Sequence, residues 1–249
     1  MIIKGNNISK KITFLLFTIF FLIGAITFKD YGISIDEEFQ RRVGVYWLNY
    51  VLSFTSFNEL NNTVALKLAQ ITGFTLPNVE GNQYYGVTFD LPVAFLEIIF
   101  QIDDPKNYFY FKHFLNFILF FIASIFFYKL LLNRFLNYNV ALIGTLFFVL
   151  SPRIYGHSFF NPKDIIFLSL VTMALYYCFK LLDKISYKNF LIFSIFAALS
   201  TSQRVYGIFL PLSFVVFYLL SVLSKKKDLD YLPGIIFFCI SFFIFFIIF

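Results

Sequence analysis

Residues 12–28 read ITFLLFTIFFLIGAITF, and residues 29–42, which follow directly, read KDYGISIDEEFQRR. The first segment carries no charge and reaches the lower limit of the length that an α-helix needs to cross a membrane. The second segment is charged and polar from its first residue. We therefore predict a spanning helix that delivers a polar segment to the membrane surface. Lys10 and Lys11 would also suit a signal peptide, but no small-residue cleavage site follows, which favours an uncleaved anchor.

The composition of the whole chain indicates further membrane spans. Of 249 residues, 59% are hydrophobic and 14% are charged, whereas soluble domains carry about 25% charged residues. This excludes a soluble globular domain, a disordered chain and a disulfide scaffold. The apolar runs are residues 12–28, 114–132, 135–151, 165–182, 189–203, 205–223 and 232–249. We expect an all-α multi-pass membrane protein of about seven transmembrane helices, forming one membrane domain over residues 1–249 that is incomplete at its C-terminus.

The basic residues predict the orientation of these spans. If the N-terminus lies inside, the inner segments hold eleven Lys and Arg and three Asp and Glu. The outer segments then hold nine Lys and Arg and eleven Asp and Glu. Because Lys and Arg concentrate on the cytoplasmic side, we predict a cytoplasmic N-terminus. A long outer loop then covers residues 29–112, and a short one covers 152–163. The net charge of +6 comes from residues that flank apolar runs, which argues against a nucleic-acid partner.

The long outer loop begins with a helix signal. Ser34 and Glu37 have the spacing of a capping box, in which each side chain bonds the other's backbone N–H. Apolar residues then recur at intervals of three and four, which predicts an amphipathic helix on the membrane surface. They are Phe39, Val43, Tyr46, Trp47, Tyr50, Val51 and Phe54.

The charges of this helix leave one carboxylate without a helical partner. Glu37 and Glu38 have Arg41 and Arg42 four residues ahead, where ion pairs form across a helical turn. Asp36 has no such cation. A carboxylate at that position interacts favourably with the helix dipole. The same position at the membrane surface would also suit a general base that acts on a membrane-borne substrate. Both interpretations remain open from the residues alone.

A second surface helix is predicted at the end of the long loop. Asp90 precedes a very apolar stretch that is too short to span a membrane, and Pro92 suits the first turn. We expect Asp90 to be the N-cap of this helix.

The short outer loop concentrates charge next to another predicted helix start. Asn161 suits an N-cap and Pro162 the first helical position. Capping does not explain four neighbouring residues in the same short segment, which are Arg153, His157, Lys163 and Asp164. A cation at a helix N-terminus opposes the dipole, and a bound anion would offset that cost. Contact with lipid phosphate by long basic side chains is the other interpretation.

The remaining outer turn and the spans themselves complete the pattern. Arg204 is the only charge of its turn, and it suits either a boundary anchor or a third cation facing the same phosphate. No Asp, Glu, Lys, Arg or His lies in the middle of an apolar run. Ion-coupled transporters usually need such groups, so a coupled transporter is disfavoured.

The combination resembles the N-terminal half of GT-C fold glycosyltransferases. The group in question comprises the bacterial relatives of protein O-mannosyltransferases and of the lipid A aminoarabinose transferase. The resemblance covers essentially the whole chain, although members of this fold have more spans and a further C-terminal portion. Its markers are DYGISIDE at 30–37, FDLP at 89–92, SPR at 151–153 and NPKD at 161–164.

The resemblance implies a function and a set of site residues. It implies transfer of a sugar, with inversion, from a polyprenyl-phosphate donor to a protein or glycolipid acceptor at the outer face of a bacterial inner membrane. Asp36 matches the acidic residue usually assigned as base, Glu37 its acidic neighbour, and Asp164 the second-loop acid, which gives the expected catalytic set. The expected substrate and lipid-phosphate contacts are His157, Lys163, Arg204, Arg153 and Asp90. A divalent metal ion is left open, and a lipid or polysaccharide flippase or a non-catalytic membrane protein is the alternative.

Overall fold

The computed structural model describes residues 7–72, 86–184, 186–223 and 232–248. Within these ranges the chain is helical and contains no β-strand. The helices are α1 (Asn7–Thr27), α2 (Ile35–Ser53), α3 (Asn58–Thr72), α4 (Asp90–Ile99), α5 (Pro105–Phe135), α6 (Tyr138–Leu150), α7 (Pro152–Phe160), α8 (Pro162–Asp183), α9 (Tyr187–Gln203), α10 (Phe209–Leu223) and α11 (Leu232–Ile248), with a 3-10 turn at Val205–Ile208 before α10.

Three of these helices, α1, α5 and α8, are long and apolar enough to cross a membrane. A fourth span would result if α6 and α7 act together, although they meet at 59°. The bend has a local cause, because Ser151 precedes Pro152 and adopts φ −57° and ψ 117°, and a residue before proline avoids the helical region. The all-α membrane protein is thus confirmed, and seven spans stay a prediction.

Helix α5 begins nine residues before the predicted span at 114–132. Asp104 caps it by accepting a hydrogen bond from the Lys106 backbone N–H, and Pro105 occupies the first turn. Proline suits that position because its missing N–H would have no helical partner. The early start places Lys112 and His113, which the sequence assigned to the loop and its edge, inside a helix.

Among its described residues, the long outer segment holds the predicted surface helices α2 and α4, a further helix α3 between them, and the start of α5. Helices α2 and α4 approach closely at Gly44, where a Cβ atom would lie 2.5 Å from the Asp90 carbonyl oxygen. Val45, Leu48 and Leu52 form the buried face of α2 and pack in one cluster with residues of α3 and α4.

The predicted apolar stripe of α2 is not the face that this helix buries in the protein. Val43 is buried, but Tyr50, Val51 and Phe54 are exposed. In a membrane protein, apolar side chains that face lipid need no protein partner, so helical periodicity does not identify the buried side.

The rest of the bundle packs through aromatic rings. Phe193 of α9 stacks on Phe238 of α11 with ring centroids 4.8 Å apart, and Phe214 of α10 lies edge-on to both. Helix α9 also packs along α8, which in turn packs against α5. These contacts bring the C-terminal end of α9 beside the N-terminal end of α8.

Candidate active site

A cavity of about 600 Å³ lies where the start of α2 meets the start of α8 and the end of α9. The residues that line it are Asp36, Phe39, Gln40, Gly86, Lys163, Ser202, Gln203, Arg204, Val205 and Tyr206. Three residues predicted for the site, Asp36, Lys163 and Arg204, therefore border the same space although three separate chain segments supply them.

Asp36 stands on the first turn of α2 and is exposed to the cavity. The helix begins at Ile35, and the predicted capping box is confirmed, with the Glu37 carboxylate accepting a hydrogen bond of 2.8 Å from the Ser34 N–H. Among the described residues, no hydrogen bond or ion pair involves the Asp36 carboxylate. Its oxygens are therefore open to accept a proton from a bound substrate.

The predicted pairing of Glu37 with Arg41 is wrong. The Glu37 side chain is fully buried, and its carboxylate lies 3.0 Å from Nε2 of His113 on α5. Arg41 instead contacts Glu97 of α4 at 2.5 Å, and its guanidinium lies over the Tyr108 ring. Both side chains point into the protein, where an ionic group is costly to bury unless it is paired or hydrogen-bonded.

The second predicted pair on this helix is confirmed. Arg42 donates a hydrogen bond of 2.8 Å to Glu38, and both side chains are exposed. The i,i+4 rule thus holds on the exposed side of α2 and fails on its buried side.

Asp90 is not the N-cap of α4, contrary to prediction. The cap position is Phe89, and the Asp90 side chain is turned into the protein with 1% exposure. Its carboxylate lies 3.0 Å from Nζ of Lys112 and 3.7 Å from Nζ of Lys163. A buried anion without a counter-charge is very costly. The two ammonium groups supply that counter-charge and so allow the Asp90 carboxylate to be buried.

Lys163 lies on the first turn of α8 and reaches the cavity wall. Its Nζ donates a hydrogen bond of 2.5 Å to the Gly86 carbonyl oxygen. Gly86 itself fits only without a side chain, since a Cβ atom there would lie 1.8 Å from the Ser202 carbonyl oxygen. The cost of a cation at this helix N-terminus is therefore offset by Asp90 and a carbonyl dipole, and the lysine's presence does not by itself require a bound anion.

The loop before α8 is built around Asn161. Its Oδ1 accepts a hydrogen bond from the Asp164 N–H at 3.1 Å, which confirms the predicted N-cap. Its Nδ2 lies 3.0 Å from Asp164 Oδ2 and 2.8 Å from His157 Nδ1. Arg204 donates to Asp164 Oδ1 at 2.6 Å, so the predicted second-loop acid holds the guanidinium at the cavity edge.

Five predicted site residues do not line the cavity. Asp164 contacts Arg204, His157 contacts Asn161, Asp90 and Glu37 are buried, and Arg153 is exposed at the start of α7. Among the described residues, no group of three His, Cys, Asp or Glu side chains could hold a metal ion.

Sequence reasoning missed the polar face of α5. Lys112, His113 and Asn116 are fully buried and share one side of the helix, because residues three and four apart lie together. The signal was present in Asp104 and Pro105, whose cap-and-proline pattern would have started α5 early enough to include them.

A second, apolar groove of about 850 Å³ adjoins the cavity between α4, α5, α8 and α9. Consecutive residues line the two spaces, since Gly86 lines the cavity whereas Val87 and Thr88 line the groove. Leu119, Met173 and Phe196 form much of the groove wall.

The comparison with known families assigns the class of this chain. A family model matches residues 95–248, which is more than half of the sequence. That match makes the chain a membrane glycosyltransferase of the GT-C type, as the resemblance implied. It belongs to the dolichyl-phosphate-mannose-protein mannosyltransferase family. No curated protein and no solved structure matches the chain. The matched part includes Lys163, Asp164 and Arg204, whereas Asp36 precedes it.

Proposed function

We propose that the protein transfers a sugar from a polyprenyl-phosphate donor to a hydroxyl or amine of a protein or glycolipid acceptor, with inversion at the anomeric carbon. The observation that carries the proposal is the shared cavity, in which the free carboxylate of Asp36 faces the same space as the cations Lys163 and Arg204. Family membership supplies the reaction class.

The proposed sugar transfer requires only a few groups of the protein. The acceptor oxygen or nitrogen attacks the anomeric carbon as the bond from that carbon to the phosphate oxygen breaks. The electron pair leaves on the lipid phosphate, and the acceptor's proton passes to Asp36. Fixed cations such as Lys163 and Arg204 stabilise the charge that develops on the leaving phosphate, and a positioned general base contributes about 10²–10⁴ in rate.

The supporting contacts give the other predicted residues indirect roles. Asp90 holds the Lys163 ammonium, and Asp164 holds the Arg204 guanidinium at 2.6 Å. His157 touches Asn161, which caps α8 beneath Lys163. Each of these residues would act on the phosphate by orienting a cation.

The apolar groove suits the lipid chain of the donor. Its lining begins with Val87, the residue after Gly86 of the cavity, and consists mostly of carbon atoms from four helices. A lipid phosphate at Lys163 would thus have a hydrocarbon path beside it, while its sugar stayed in the polar cavity.

Orientation is a separate prediction. We expect the cavity to face the outside and the N-terminus to lie in the cytoplasm of a bacterial cell. In a variant without Cys178 and Cys239, a cysteine in place of the exposed Asn62 should react with an impermeant maleimide in intact cells. Lys184→Cys, on the opposite side of the predicted spans, should react only after permeabilisation. The reverse pattern would contradict the orientation.

The function itself is tested with membranes that contain the protein and a radiolabelled polyprenyl-phosphate mannose. The labelled sugar should move to the acceptor, and lipid phosphate should be released. A flippase would instead move the sugar-bearing lipid across the membrane unchanged. Lys163→Gln should lower kcat/KM for the donor about 10- to 100-fold, because a hydrogen bond to a charged group contributes about 1.5–3 kcal/mol. Lys106→Gln removes an equal charge from the exposed start of α5 and should change little. Absence of transfer by the wild-type protein would refute the proposal.

A further inference from the structure

His113 on α5 is a buried histidine that contacts Glu37, the residue next to Asp36. Its side chain has no exposed surface, and its Nε2 faces the Glu37 carboxylate at 3.0 and 3.3 Å. The other ring nitrogen, Nδ1, lies 3.4 Å from the Phe28 carbonyl oxygen. An ionised carboxylate only accepts hydrogen bonds, so Nε2 is the donor in this pair.

Glu37 is thereby held from two sides. The Ser34 N–H donates to it from the turn before α2, and His113 donates to it from the membrane-spanning helix α5. Because Glu37 directly follows Asp36 on the first turn of α2, the direction of the Asp36 side chain depends on how this turn is fixed. Asp36 has no contact of its own among the described residues that would fix it.

The same face of α5 also hydrogen-bonds to the end of α7, which precedes Lys163 in the chain. One turn after His113, Asn116 donates a hydrogen bond of 3.0 Å to the Phe159 carbonyl oxygen at the end of α7. The Ser34 hydroxyl donates at 3.1 Å to the next carbonyl, that of Phe160. Hydrogen bonds thus join the start of α2 to the end of α7, which leads into α8, and both of these segments are also bonded to α5.

We propose that His113 is a positioning residue, which holds Asp36 at its working distance from the Lys163 and Arg204 cations through its hydrogen bond to Glu37. The inference rests on the proposed function, because it assigns Asp36 the role of base. Glu37 then acts on the turn that carries Asp36 and touches no reactant, in keeping with its place outside the cavity lining.

Two substitutions separate this role from simple filling of space. Gln extends its side-chain nitrogen to about the place of Nε2, so His113→Gln keeps a donor for Glu37. Asn is one bond shorter and keeps only the position of Nδ1. We expect His113→Asn to lower kcat at least about 10-fold with KM for the donor unchanged within about threefold, and His113→Gln to restore kcat to within about threefold of wild type.

Glu37→Gln probes the same contact from its other side and keeps the shape of the side chain. If both residues act through one hydrogen bond, the double variant Glu37→Gln/His113→Asn should lose no more kcat than the worse single variant, because effects within one interaction are not additive. Each rate is normalised to protein that elutes as a single peak in detergent, so a low yield of folded His113→Asn does not enter the comparison.

Two outcomes would overturn the inference while leaving the proposed function intact. One is a wild-type enzyme that transfers sugar together with a His113→Asn variant of equal kcat. The other is a loss that His113→Gln does not restore, or that falls on KM alone. Failure of the wild-type protein to transfer sugar would instead refute the proposed function.

Discussion

Asp36→Asn is expected to lower kcat for sugar transfer by at least about 100-fold, while folding and membrane insertion stay intact. The substitution keeps the shape of the side chain and removes its ability to take a proton, a step worth about 10²–10⁴ in rate. Asp36 is exposed and has no partner among the described residues, so stability should change by less than about 1 kcal/mol.

The controls for this prediction lie on the same turn and across the cavity. Glu38→Gln changes a neighbouring exposed carboxylate that pairs with Arg42, and it should leave kcat near the wild-type value. Asp164→Asn should weaken the hold on Arg204 and raise KM for the donor more than it lowers kcat. Near-normal turnover by Asp36→Asn beside an inactive Asp164→Asn enzyme would move the base to the loop before α8.

Glu97→Ala is expected to cause the largest loss of stability, about 3–5 kcal/mol, because it removes one side of a buried ionic cluster. The Glu97 carboxylate is completely buried at the end of α4 and lies 2.5 Å from Arg41 and 3.3 Å from Lys67. Without it, the Tyr108 ring is the one contact partner that the Arg41 guanidinium keeps among the described residues. Helices α2, α3 and α4 each supply one charge, so their packing should loosen together.

Thermal unfolding in detergent and the yield of folded protein would measure this effect. Glu38→Gln is again the matched control, since it breaks an exposed pair worth at most about 1 kcal/mol. Asp103→Asn removes the exposed partner of Lys67 and should also be mild. Equal stability of Glu97→Ala and Glu38→Gln would mean that the cluster does not hold the three surface helices together.

Local rules predicted the parts of this protein that depend on local geometry. The capping box at Ser34 and the N-cap at Asn161 each involve residues within one turn, so sequence spacing is enough to find them. The apolar runs likewise predicted the long helices. Of the eight site residues that the resemblance implied, three border one cavity, which are Asp36, Lys163 and Arg204.

The failures at Glu37 and Asp90 share a physical cause. An exposed i,i+4 ion pair contributes only about 0.3–0.5 kcal/mol, so it yields whenever the helix buries that face against an opposite charge. Helix α5 supplied the buried partners, His113 for Glu37 and Lys112 for Asp90, and the sequence had placed both outside any helix. Partner choice in the interior depends on which helices pack together, and no local spacing rule contains that information.

The length of α5 has a consequence for where chemistry takes place relative to the lipid. Its 31 residues rise about 46 Å at 1.5 Å each, whereas the hydrocarbon layer is about 30 Å thick. We expect Lys129 and Arg134 to lie at one boundary of this layer, and about 30 Å of helix, roughly 20 residues, then ends near residues 109–114. Lys112 and His113 would thus lie at the other boundary, next to the headgroup layer. A donor lipid resting at its natural depth would present its own phosphate to the cavity without being lifted from the bilayer or drawn into it.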